Sequence, residues 1–290
     1  MTAREGIPAE NLKIWRQVAA ENRELRLLQI EQMAKTLGDT LQQGEEFSTD
    51  TLSIFATGTD GFSLAMAVDE QLAFCRALLS KRPDIAKSGE ITYPAAPAAP
   101  RMARLKGSIF SAAFNRFSPL LSGARPLYVS SLSDLLEATA SGDADFAILP
   151  IEDSKGGRFL HFYEELDRLD LHMTHTCDVP SEESGRTVRF ALISKLYQPT
   201  GFLPCHPFFD CRLYVDAPKN LTAFLAAAEG ADATLYRLDS LPAPDAEGSF
   251  TYYPIFSAAD GGILLEAYIN IFMPRAAVVE RYLHLKGENI

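Results

Sequence analysis

The stretch DADFAILPIEDSKGGRFLHFYEE, Asp143 to Glu165, constrains the fold more than any other. Phe146 to Ile151 is an unbroken apolar run of strand length, which predicts a strand buried on both faces. It ends in Glu152, Asp153 and Ser154, followed by Lys155, Gly156 and Gly157 and then an amphipathic helix expected from Arg158 to Leu169. Polar residues at the carboxyl end of a buried parallel strand, facing a helix N-terminus, sit where open α/β sheets bind ligands. The same residues also suit a plain turn in which Ser154 only caps the helix.

The rest of the chain repeats this alternation. Short strands are expected at Arg101–Leu105, Leu127–Ser130 and Leu171–Thr176. Helices are expected at Ser108–Phe117 and Leu132–Ala140, with Ser131 or Ser133 as cap. Strands alternating with helices at this spacing predict a mainly parallel sheet. Upstream, Asn11 to Gln43 has no Pro and places Leu27, Ile30, Ala34, Leu37 and Leu41 at helical spacing, so a long amphipathic helix needs a partner for that stripe. A second helix is expected from Leu64 to Lys81, and a short strand and turn between Leu52 and Phe62. The Pro/Ala-rich ITYPAAPAAPRM is an extended linker. Downstream, strands at Cys211–Val215, Thr234–Leu238, Phe250–Ser257 and Val278–Leu283 surround helices at Asn220–Ala228 and Leu264–Asn270. That β-α-β-β-α-β order is the ferredoxin-like split motif. The expected domains are residues 1–92, mostly helical; 93–101, the linker; 102–200, an α/β lobe; and 205–290, the split motif.

Composition narrows the partners. A chain of 290 residues, 47% apolar, can bury more than one core. Its net charge of −11 argues against a nucleic-acid surface, which needs clustered cations. No apolar run reaches the roughly 20 residues of a membrane span, and no signal peptide opens the sequence, so a cytoplasmic protein is expected. Cys75, Cys177, Cys205 and Cys211 lack metal-type pairing, so neither a metal nor another cofactor is expected.

GDADFAILPIEDSKGG resembles the signature of prephenate dehydratases, G-x-A-D-[YF]-x-[VI]-[VL]-P-I-E-N-[ST]-x-x-G, with Asp153 in place of the usual Asn. KGSIFSAAFNRF is similar to that family's G-P-x-G-[TS]-[FY]-S-x-x-A-A segment, with Gly107 and Ser108 on the Gly-[Thr/Ser] pair and the preceding Gly-Pro absent. RTVRFALISK matches the family's Asn-x-Thr-Arg-Phe at Arg189 and Phe190, but Val188 occupies the position of the catalytic Thr. YRLDSLPAP resembles the Glu-Ser-Arg-Pro region of the ACT domain, matching at Asp239, Ser240 and Pro242, and Asn220 or Leu221 stands where the companion Gly is expected.

The resemblance covers about Met102 to Ile290. It implies a fold of mixed α/β and α+β class: a helical N-terminal segment, one parallel-sheet lobe like half of a periplasmic binding protein, and a ferredoxin-like ACT domain. It implies Gly107, Ser108, Glu152, Asp153, Ser154, Arg189 and Phe190 as substrate-binding residues, and Asn220, Leu221, Asp239 and Ser240 as allosteric ones. The helical segment, carrying Arg16, Arg23 and Lys35, also invites comparison with chorismate mutase domains; a solvated face on a packing helix is the alternative. The family's second lobe has no counterpart between Val179 and Arg186, so half the cleft wall is missing.

Three readings follow. One is a regulatory or ligand-binding relative without dehydratase chemistry, binding a small carboxylate or aromatic amino acid. Another is an active enzyme on prephenate or chorismate with its site completed across a dimer, and the third is an unrelated sensor on the same folds. A homodimer is expected from the Leu27/Ile30/Leu37/Leu41 stripe and the ACT-like sheet.

Overall fold

The computed structural model describes residues 9–40, 66–86, 93–181, 185–215, 218–242, 250–259, 262–273 and 275–286. The long helix α1 spans Ala9–Thr40 and packs along α2, Val68–Leu79. Ile30, Ala34 and Leu37 of the predicted stripe are buried against Phe74, Ala77 and Leu78. The stripe's partner is therefore a helix of the same chain; Leu41, like the strand and turn expected at 52–62, lies outside the described residues. The cations on α1 are turned to the same task or to solvent: Arg23 pairs with Asp69, Lys35 lies 3.8 Å from Glu31, and Arg16 is exposed. Toward its N-terminus α1 keeps Ile14, Val18, Leu25 and Leu28 exposed.

After the extended segment, β1 (Arg101–Arg104), α3 (Ser108–Phe117), β2 (Arg125–Tyr128), α4 (Leu132–Ser141) and β3 (Phe146–Asp153) form two right-next-door β-α-β units. Their strands run parallel in the order β2-β1-β3. Ser131 caps α4, its Oγ accepting from the Asp134 N–H at 3.0 Å. Gly142 stops α4 in the left-handed conformation open to glycine. Helix α3 packs on one face of β3, beneath Phe146 and Ile148, and α4 packs on the other, beneath Ala147 and Leu149. This two-sided burial is why Phe146–Leu149 reads as a continuous apolar run.

Beyond β3 the expected helix start is shortened. Gly157–Arg158 form the brief strand β4 against the end of β3, and the helix α5 covers His161–Arg168. Next come β5 (His172–Ser181) and β6 (Arg186–Ser194), joined across only four residues and paired antiparallel. Strand β6 also runs antiparallel to β3, so the parallel part of the sheet is limited to three strands there. The local strand-helix alternation carried no information about this reversal.

The last third follows the predicted order: β7 (Cys205–Val215), α6 (Pro218–Gly230), β8 (Ala233–Pro242), β9 (Phe250–Ala258), α7 (Ile263–Phe272) and β10 (Ala276–Leu285). Its strands lie in the order β10-β7-β9-β8, all antiparallel neighbours. Helices α6, α7 and α2 cover one face around Phe209, Leu213, Phe224 and Phe256. The sheet does not break at residues 200–205. Strand β10 pairs parallel with β5 through Leu283↔His175 and His284↔Thr176, giving one sheet ordered β2-β1-β3-β6-β5-β10-β7-β9-β8.

Candidate functional site

Helices α3 and α4 leave the carboxyl ends of adjacent parallel strands toward opposite faces of the sheet. Such divergence opens a crevice, and here a cavity of about 460 Å³ occupies it. The first turn of α3 contributes Ile109 and Phe110, and Leu132 opens α4 on the far side. Strands β3 and β6 supply Pro150, Val188 and Phe190; Phe159, His161 and Phe162 close the wall from the start of α5. Phe110 meets Phe190 edge-on with ring centroids 5.2 Å apart, and Phe159 meets Phe162 in the same way at 6.0 Å. His161 is the only ionisable side chain among the described lining residues, and it is exposed.

The predicted binding residues divide between this cavity and two other places. Gly107 and Ser108 start α3 beside Ile109, and the Gly107 carbonyl accepts from the Ser111 N–H and hydroxyl. The Gly107 φ of 136° is the reason for glycine at that cap. Val188 and Phe190 line the cavity itself. Asp153 instead folds back on its own turn: its Oδ1 accepts from the Lys155 and Gly156 N–H groups at 2.8 and 3.0 Å. Those backbone donors, with Arg186 nearby, hold the Asp153 carboxyl below the usual carboxylate range. Ser154 clasps the end of β6, exchanging bonds of 2.9 and 3.0 Å with the Thr187 backbone.

Glu152 and Arg189 lie on the opposite face of the sheet from the cavity. A bulge between Pro150 and Glu152 sets the register, pairing Pro150 with Phe190 and Glu152 with Arg189. The extra residue turns Glu152 away from Val188 and onto the Arg189 side. There Arg189 donates to Asp178 through Nε at 2.7 Å and Nη2 at 3.0 Å, and to the Tyr236 hydroxyl at 2.7 Å. Burial alone would lift the Asp178 carboxyl, but the two bonds from Arg189 outweigh it and hold it below its ordinary value. Arg237 grips Asp239 with two bonds, at 2.8 and 3.0 Å, and also pairs with Glu152.

Sequence reasoning missed a second buried pair beside these. Arg158 donates to Asp210 at 2.6 Å, both side chains being 2% exposed, and its guanidinium lies 4.6 Å from the Tyr163 ring centre. Arg158, Asp178 and Arg189 come from the lobe, whereas Asp210, Tyr236, Arg237 and Asp239 come from the split motif. The Arg158–Asp210 and Arg237–Glu152 pairs and the Arg189–Tyr236 hydrogen bond therefore stitch the two halves of the sheet together. Arg158 gives little local sign of this, because its partner Asp210 stands 52 residues away. The apolar residues at the first turns of α3, α4 and α5 were the available sign of the cavity.

The proposed allosteric positions are not gathered into one contact. Leu221 is in the first turn of α6 and packs partly on the core, and Asn220 precedes it there. Asp239 is held by Arg237, while Ser240 is exposed on the edge strand β8. Because β7 and β8 are parallel, with α6 between them, Ser240 and Asn220 lie toward the same end of the motif. Among the described residues, no helix is long and apolar enough to cross a membrane.

No protein-family model matches this sequence, and no curated protein matches it. Solved structures do. A prephenate dehydratase from Streptococcus mutans superposes with a TM-score of 0.53 at 18% identity, covering 65% of this chain and 100% of its own. A quorum-quenching acylase (TM-score 0.48, 16% identity) covers 64% of this chain and 95% of its own. A prephenate dehydratase from Arthrobacter aurescens in complex with L-Phe (TM-score 0.44, 15% identity) covers 63% and 89%. At 18% identity the likeness to the Streptococcus mutans enzyme is one of fold, and the chain has a prephenate-dehydratase-like fold.

Proposed function

We propose that this chain is a small-molecule-binding, regulatory relative of prephenate dehydratase in aromatic amino-acid metabolism, and that it does not dehydrate prephenate. The observation that carries this reading is the make-up of the cavity wall. Loss of a ring hydroxyl together with a carboxylate requires a proton donor beside the leaving oxygen and cations holding the dianion. Assistance by a general acid is typically worth 10²–10⁴-fold. At the position the resemblance gives to the donor, the cavity has the methyl groups of Val188. Arg189, the cation expected to hold substrate, is engaged by Asp178 and Tyr236 on the other face. The four-residue link between β5 and β6 supports the absence of a second lobe. The element order of residues 205–290 supports reading them as an ACT-like regulatory module.

Incubation of purified protein with prephenate at neutral pH is expected to give no phenylpyruvate above the uncatalysed rate. Val188→Thr is expected to give none either, because a hydroxyl alone restores neither the cations nor a covering wall. Phenylpyruvate formation by the unaltered protein, abolished by Val188→Trp, would refute this reading.

A further inference from the structure

We infer that the cavity at the carboxyl ends of β1 and β3 binds an uncharged molecule built on an aromatic ring, in preference to a carboxylate. The inference rests on reading this cavity as a ligand site. Its volume of about 460 Å³ lies within the ordinary range for small-molecule pockets. Four phenylalanines form much of the wall, in two edge-on pairs whose remaining faces and edges offer a planar ring the same geometry. No Lys or Arg is among the described lining residues. The two guanidiniums adjacent in sequence to lining residues are both bonded elsewhere, Arg158 to Asp210 and Arg189 to Asp178 on the opposite face. A carboxylate entering this space gives up water without gaining a cation, whereas a neutral ring loses little on leaving water. His161 stands exposed at the rim, where it can bond a hydroxyl or ring N–H on an otherwise apolar ligand.

The test is fluorescence titration of the full chain with N-phenyl-1-naphthylamine, followed by displacement with two matched pairs: indole against indole-3-carboxylate, and benzyl alcohol against benzoate. The probe is expected to bind one to one, and each neutral member is expected to displace it at concentrations at least tenfold below its carboxylate. Val188→Trp and, from the opposite wall, Ile109→Trp fill the cavity, and each is expected to weaken the probe at least tenfold. Thermal melting of both variants reports which of them stays folded for this comparison. Carboxylates displacing as well as their neutral partners, no saturable probe binding, or unchanged binding in the folded filled variants would each overturn the inference. A carboxylate preference without phenylpyruvate formation sinks only this inference. Turnover of prephenate sinks the non-dehydrating reading whatever the displacement order.

Discussion

Val188 and Arg189 are neighbours on β6, and the pleat sends them to opposite faces. One side chain lines the cavity; the other is closed into Asp178, Tyr236 and Glu152. The same parity is legible in the sequence, because neighbours on a strand point to opposite faces, and it separates the Arg189 cation from the side of the sheet that Val188 faces. What parity could not give was the bulge that carries Glu152 to the Arg189 side. Removing Arg189 takes two charge-assisted bonds from Asp178, whose side chain is 39% exposed, and because water reaches that carboxylate the cost is about 1–3 kcal/mol. Arg189→Ala is therefore expected to lower the denaturant midpoint strongly with the m-value unchanged, as urea unfolding followed by circular dichroism would measure. Arg189→Ala paired with Asp178→Ala is expected to lose less than the sum of the single variants. Strict additivity would mean that the two side chains do not interact.

At the scale of elements, most of the order was readable. Helix Ser108–Phe117 and strand Phe250–Ala258 fall within a residue of where periodicity and turn signals put them. Their local signals are strong because each element has one apolar stripe or one doubly buried face. Helix α5 was begun too early, at Arg158, because that residue looks like the start of its first turn, whereas pairing with Glu152 keeps it extended. Two capping positions test how much the ends contribute. Ser131→Ala removes the bond to Asp134 and is expected to cost about 1 kcal/mol. Gly262 precedes α7 with φ 77°, and a Cβ there would collide with the Phe209 ring. Gly262→Ala thus combines strain at positive φ with overpacking, and its loss of melting temperature is expected to exceed that of Ser131→Ala.

For the whole molecule, titrating groups buried around the β5–β10 junction set the pH dependence of stability. Burial depresses His172, His175 and His284 to about 4, with Arg189 adding to the effect at His284. The unfolded chain protonates these histidines first, so their contribution is complete above about 6.5 and is lost as pH falls toward 4. Glu280 has the opposite sign. Its inward-facing carboxyl is pushed up to about 8 by burial, so the contribution is complete below about 4.5 and is lost as pH rises through 8. Three histidines outweigh one glutamate where the windows overlap, and the melting temperature is expected to peak near pH 6.5. His172→Phe should flatten the acid limb and Glu280→Gln the alkaline one; a melting temperature independent of pH from 4 to 8 would contradict both assignments. None of these environments was visible in sequence: His172 stacks on Tyr93 of the extended segment, and the others depend on β10 lying between β5 and β7. That placement also dictates a timetable. Strands β5 and β7 leave the ribosome long before β10, each with a flank of unsatisfied amides awaiting a strand made some 60 to 100 residues later. During synthesis the middle of the sheet is a gap with two adhesive sides, and the interval before β10 fills it is when a nascent chain is most exposed to pairing with another.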